Sequence, residues 1–170
     1  MKIILASKSG VRKKILDEHG INCEVVHSNV DEEEIKTSLL NEGADPLLIS
    51  KNLAELKSIK VSSRHPDKYV LGADSVISLN NDLINKPNSR DEAFRILKKL
   101  NSSKHYLISS VCISKNGSMI WNHTDSSELK MKNLSDNEIL EYLNKIKTET
   151  LLAYGVYQIE AEGLKLFEYI

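Results

Sequence analysis

Tyr69-Val70-Leu71-Gly72-Ala73-Asp74-Ser75-Val76-Ile77-Ser78-Leu79 is a nearly continuous apolar run interrupted by one carboxylate. Such a run reads as a strand covered on both faces, the pattern of a sheet with helices packed against it. Asn80-Asn81-Asp82 then turns the chain back toward Leu83-Ile84. Asp74 inside the run must be paired, metal-bound or protonated, because an unpaired buried carboxylate is costly. The plainer alternative is a structural aspartate that caps a neighbouring loop.

On the N-terminal side, Lys2 to Ala6 is a short strand-forming run, and Ser7-Lys8-Ser9-Gly10 turns into an amphipathic stretch with Val11, Ile15 and Leu16 on one side, ending near His19-Gly20. Cys23 to His27 alternates weakly as a second strand. The acidic run Asp31 to Glu34 opens a helix marked by Ile35, Leu39 and Leu40, where its charges complement the helix dipole. Asp45-Pro46 pairs an N-cap with a first-turn proline, and the helical pattern continues through Leu53, Leu56 and Val61 toward His65-Pro66.

On the C-terminal side, Ser89 with Glu92 and Ser135 with Glu138 have capping-box spacing ahead of helical patterns. Lys115-Asn116-Gly117-Ser118 joins two strand-like runs, Tyr106 to Ser114 and Met119 to Thr124, as a hairpin. With no fixed-period repeat and no linker-like shift in composition, the chain reads as one α/β domain over residues 1–170 with a mixed sheet.

The 170 residues carry 23 Lys and Arg against 24 Asp and Glu, a net charge of −1. No global field draws the chain to nucleic acid or to an anionic membrane. Seven Gly and three Pro among 41% hydrophobic and 28% charged residues belong to a globular composition. Apolar runs fall far short of the ~20 residues of a membrane span, and no secretory signal is expected at the start. Cys23 and Cys112 stand alone, outside C-x-x-C spacing, and read as small hydrophobes in a reducing cytoplasm.

Three further features could carry chemistry. In the loop Ser7-Lys8-Ser9-Gly10 with Arg12, hydroxyls, helix N-terminal amides and a cation converge, which suits phosphate; the same atoms also make a plain N-cap with a solvated arginine. A P-loop is excluded by spacing. Lys57 has Leu53, Ala54 and Val61 one turn away, so its stem lies beside apolar surface and its ammonium is expected to reach outward. Lys86, in Asn85-Lys86-Pro87, reads equally as a solvated loop lysine or a fixed cation over a cleft. No histidine pair has zinc-ligand spacing.

In order along the chain, these segments resemble the Maf family of nucleoside triphosphate pyrophosphatases. Leu5-Ala6-Ser7-Lys8-Ser9-Gly10-Val11-Arg12 resembles that family's opening L-A-S-x-S-P-R-R, and Asp31-Glu32 stands at its Asp-Glu pair. Leu53-Ala54-Glu55-Leu56-Lys57 is similar to its L-A-x-x-K, Leu71-Gly72-Ala73-Asp74-Ser75 to its G-A-D-T, and Lys86-Pro87 to its G-K-P. His105-Tyr106-Leu107-Ile108-Ser109 is similar to H-x-V-x-T, and Tyr157-Gln158-Ile159-Glu160 to Y-G-I-Q. Gly10, Val11, Ser75 and Asn85 depart from the pattern, Ala153-Tyr154-Gly155 lacks the lysine of K-A-G, and the family's G-L-P tail has no counterpart up to Ile170, where the final core strand is expected to be incomplete.

The resemblance implies a mixed central sheet flanked by helices, with two lobes around a cleft, as in the inosine triphosphate pyrophosphatase-like fold. It implies hydrolysis of a nucleoside triphosphate to the monophosphate and pyrophosphate in the cytoplasm, with a divalent cation, Mg2+ by its preference for oxygen ligands. Asp74, Glu32 and Lys57 are the implied catalytic residues, and Asp74 and Glu32 the implied metal ligands; Ser7, Ser9, Arg12, Lys86 and Glu160 are the implied substrate-binding residues. Glu160 favours a guanine-type base such as 7-methylguanine, because a carboxylate only accepts hydrogen bonds; Gln158, two residues away on the same face of an expected strand, is the alternative reader. The implied partner is the nucleotide, with no nucleic acid polymer and no membrane, and a homodimer is left open. The rival reading is a non-catalytic nucleotide-binding regulator of cell division.

Overall fold

In the computed structural model, which describes residues 3–170, the apolar run around Asp74 becomes the long strand expected of it. Lys2, read as the start of the opening strand, lies outside the described residues. The elements are β1 (Ile3–Leu5), α1 (Gly10–Glu18), β2 (Cys23–Val25), α2 (Glu32–Asn41), α3 (Pro46–Ser62), β3 (Val70–Leu79), β4 (Asp82–Ile84), α4 (Arg90–Leu100), β5 (Lys104–Lys115), β6 (Ser118–Met131), α5 (Asp136–Lys145), α6 (Thr148–Tyr154), a short 3-10 helix (Glu162–Leu166) and β7 (Phe167–Tyr169). The seven strands form one mixed sheet in the order β2-β1-β3-β5-β6-β7, with β4 on β3. β1 runs parallel to β2 and to β3, with Ile4 opposite Val70; β4 is antiparallel to β3, and β7 to β6. The final segment is thus a three-residue strand paired through Met131 and Phe167.

Local chemistry sets the ends of these elements. Asp45 caps α3, accepting from the Leu48 amide at 2.8 Å, with Pro46 in the first turn. Ser135 and Glu138 complete a reciprocal capping box on α5. The Ser89–Glu92 box is only half formed: Ser89 accepts from the Glu92 amide, but the Glu92 carboxylate takes the Asn88 N–H instead. Ser89 is more extended than Ser135, with φ −155° against −69°. Asn116 and Gly117 both take positive φ, 51° and 77°, giving the turn whose twist suits a tight hairpin, and its strands run longer than the alternation suggests.

Two expectations are corrected. No residue of α1 is buried, and Ile15 is 43% exposed, because α1 packs beside β2 at the sheet edge, where little covers its apolar side. Residues 157–160 are not a strand but a turn leading into the 3-10 helix, so Gln158 and Glu160 do not share a strand face. α6, short and without a side-chain cap, carries no sequence signal that marks it.

The chain divides into two compact units. The first comprises the described residues up to Val76 with Ile108–Asp125, the second Ile77–Leu107 with Ser126–Ile170. In the first, Ile4, Ala6, Val61 and Val70 cluster, and Ile49 and Leu53 are fully buried. In the second, Leu97, Leu100, Leu129, Met131, Ile139 and Leu151 are fully buried in one larger cluster. Among the described residues, no helix is long and apolar enough to cross a membrane.

Candidate functional site

The site begins with a glycine. A Cβ on Gly72 of β3 would lie 2.2 Å from the Ala54 carbonyl oxygen and within 2.9 Å of Ser58, so only glycine lets α3 lie this close to the strand. The facing residues of α3, Ser50, Ala54 and Ser58, are four apart and buried, and they form one row of small side chains. Ser50 Oγ donates to the Asp74 carbonyl at 3.3 Å, and Ser58 Oγ is within 2.7 Å of Ser114 Oγ and 3.2 Å of Cys112 Sγ. None of these contacts was signalled except by the i, i+4, i+8 spacing of small residues opposite a strand glycine.

This close approach directs Lys57 into the protein. Its side chain is 7% exposed, and its ammonium sits 2.8 Å from Asp74 Oδ1 and 2.8 Å from Glu32 Oε1. The outward-reaching lysine expected from helical spacing is therefore corrected: the ammonium is the centre of a carboxylate–lysine–carboxylate triad in which Lys57 and Asp74 are buried and Glu32 is half-buried. Glu32 reaches it from the first turn of α2, which Asp31 caps through the Glu34 amide. Asp74 is 5% exposed, and its second oxygen, Oδ2, has no hydrogen-bond partner. Burial raises the Asp74 pKa above its ordinary value; the Lys57 charge and hydrogen bond, and then Arg12, pull it back, while Glu32 adds to the rise.

Arg12 is not the solvated arginine of the plain reading. Its Nη1 donates to the Ala73 carbonyl at 2.8 Å and to Ser7 Oγ at 3.4 Å, tying the β1–α1 loop to the residue before Asp74. Its Nη2 reaches Ser75 Oγ, which in turn meets Ser109 Oγ at 3.0 Å. Burial lowers the Arg12 pKa, against the attraction of Asp74 and Glu32. Ser7 Oγ also accepts from the Ser9 amide, and Ser9 caps α1 through the Arg12 amide, so both hydroxyls organise the loop. A buried lysine that the sequence reading passed over, Lys36, lies one turn along α2 from Glu32 and bonds to Glu33 at 3.0 Å.

Ser7, Ser9, Arg12, Glu32, Lys57 and Asp74 thus gather in the first unit. Lys86 and Glu160 belong to the second: Lys86 is exposed in the loop after β4, and Glu160 is exposed in the turn before the 3-10 helix. The residues present fit a hard divalent cation on chemical grounds. Asp74 Oδ2 is a buried carboxylate oxygen without a partner, and Glu32 supplies a second carboxylate at the same lysine. Among the described residues there is no cluster of three or more His, Cys, Asp or Glu able to enclose a metal. This donor set suits Mg2+, which takes one or two carboxylates and completes its shell with phosphate oxygens and water.

The family model for Maf-like protein matches residues 2–170. A nucleoside triphosphate pyrophosphatase of Pelagibacter ubique (strain HTCC1062) is 58% identical over 169 residues, covering 99% of this chain and 87% of its own length. A 7-methyl-GTP pyrophosphatase of Brucella abortus biovar 1 (strain 9-941) is 33% identical over 170 residues, covering all of this chain and 85% of its own. A solved HAM1 protein from Coxiella burnetii is similar in fold, with a TM-score of 0.51 and 14% identity over 77% of this chain and 73% of that one. With a match that spans both units and every motif of the site, the chain belongs to the Maf-like protein family.

Proposed function

We propose that the protein is a nucleoside triphosphate pyrophosphatase, in which water attacks the α-phosphorus and pyrophosphate leaves with the bridging oxygen. The observation that carries this reading is Asp74: a buried carboxylate held at Oδ1 by Lys57 with Oδ2 unpartnered, on a chain 58% identical to a protein of that name. Lys57 keeps Asp74 ionised and aimed, so that Oδ2 takes the proton of the attacking water. Glu32 shares the lysine and holds the Lys57 charge between the two carboxylates.

Ser7, Ser9 and Arg12, at the N-terminus of α1, bind phosphate oxygens; the family resemblance gives Lys86 as a further phosphate ligand. Mg2+, held by Asp74 and Glu32, would supply charge neutralisation at the phosphates. Glu160 reads the base: guanine presents two adjacent donors, N1–H and the 2-amino group, and a carboxylate accepts both, with a further preference for the positive charge of 7-methylguanine. Two buried, free cysteines, Cys23 and Cys112, accord with a cytoplasmic setting. Neither a nucleic acid polymer nor a membrane enters the reading, and a homodimer is tested by sedimentation.

The deciding experiment incubates the protein with a panel of nucleoside triphosphates and Mg2+ and identifies the phosphorus products. Pyrophosphate and the monophosphate are expected, with 7-methyl-GTP turned over faster than dTTP or UTP, and chelation of the metal abolishing turnover. Orthophosphate with a diphosphate would move the attack to the γ-phosphorus and overturn the assignment; no turnover at all would favour the binding-only regulator.

A further inference from the structure

The second unit holds a buried titratable group that the proposed chemistry does not use. His105, on β5, is fully buried, with Nε2 3.0 Å from the Tyr157 hydroxyl. Its ring lies 5.8 Å from that of Tyr157 and 5.7 Å from that of Phe167, and Tyr157 meets Phe167 edge-on at 4.9 Å. Packing alone does not call for this chemistry, since an aliphatic side chain at 105 and a Phe at 157 would fill such a core without desolvating an imidazole and a phenol. What the hydrogen bond adds is a defined position for Tyr157.

Tyr157 opens the turn that carries Gln158 and Glu160. The preceding carbonyl, of Val156, accepts from the Tyr142 hydroxyl at 3.1 Å. The following carbonyl, of Gln158, accepts from the Ala161 and Gly163 amides, each at 3.1 Å. A Cβ on Gly163 would lie 2.5 Å from that same Gln158 oxygen, so the turn closes on a glycine that nothing larger can replace. Residues 156 to 158 are therefore held from both sides, while Glu160 stands exposed at the tip.

We propose that His105 is a positioning residue for base selection: by its hydrogen bond to Tyr157 it fixes the turn from Gln158 to Gly163, so that Glu160 meets the base in one orientation. The inference rests on the reading of Glu160 as the base reader and deepens it. A pre-organised reader discriminates between bases, because a group that moves can satisfy either one.

The test compares the wild type with Tyr157→Phe, which keeps the ring and removes only the hydroxyl, with His105→Gln, whose amide can still bond to Tyr157, and with Glu160→Gln. Each is assayed for kcat and KM on 7-methyl-GTP, dTTP and UTP with Mg2+, and the substrate-free proteins are compared by amide hydrogen exchange over residues 158–163. For Tyr157→Phe the expected result is a KM for the preferred nucleotide raised about tenfold with kcat little changed. Selectivity should collapse toward unity and exchange in the turn should accelerate. His105→Gln should retain much of the selectivity. Unchanged selectivity in a folded Tyr157→Phe protein overturns the inference. If Glu160→Gln alters selectivity in that case, the base reader stands and only the positioning role fails; if neither variant alters it, both fail. Unchanged exchange in the turn overturns the positioning role whatever the kinetics show.

Discussion

At the level of single residues, the proposed chemistry depends on how Asp74 is held. Its Oδ1 is tied to Lys57 and its Oδ2 is open, so a substitution that keeps the shape and removes the charge separates catalysis from folding. Asp74→Asn is expected to lower kcat by about three orders of magnitude or more while the fold survives, checked by single-turnover rates beside a thermal melt; the loss reflects both the missing base and the missing metal ligand. Lys57→Met leaves the buried Asp74 carboxylate without its ammonium partner and should cost about 3 to 5 kcal/mol in urea denaturation near neutral pH. The deficit should shrink as the pH falls, since a protonated Asp74 no longer needs the ammonium.

Among the elements, the packing of α3 on β3 decides whether the triad exists. A methyl group on Gly72 would stand 2.2 Å from the backbone oxygen of Ala54, and backbone cannot swing aside as a side chain can. Gly72→Ala must therefore push α3 outward, and Lys57 with it. A loss of about 2 to 4 kcal/mol in stability is expected, of the order seen for overpacked cores. Any folded fraction should also show a lowered kcat, because the Lys57–Asp74 distance is set by this approach. Wild-type kcat in a folded Gly72→Ala protein would show that the triad does not depend on the seam. The loop before α1 depends on β3 in a similar way: Ser7 and Ser9 shape it locally, and Arg12 fastens it to the Ala73 carbonyl.

For the molecule as a whole, pH acts on stability through His105. Burial drops its pKa from 6.5 to about 4, against a weaker opposite pull from the Ser103 backbone. The unfolded chain then binds more protons than the native protein between these values, so this stability is fully present above pH 6.5 and is lost as the pH falls toward about 4. Its full extent is about 3 kcal/mol. The difference in urea stability between the wild type and His105→Gln should therefore change across that window and stay flat above it; a difference independent of pH would mean that the imidazole is not neutral in the fold. The sequence by itself determined the features that depend on near neighbours. The apolar run that makes β3 a covered strand, the Asp45 and Ser135 caps, the Asn116-Gly117 turn and the anomaly of a carboxylate among hydrophobes all rest on spacings of a few residues. Only the tertiary structure decided that Lys57 points inward, that Arg12 bonds to the Ala73 carbonyl and that residues 157 to 160 lie outside any strand, with the Tyr157 hydroxyl against His105. Helical spacing leaves a lysine beside apolar surface free to reach toward water. What turns it inward is a carboxylate 17 residues away, brought within 2.8 Å because a glycine lets helix and strand approach.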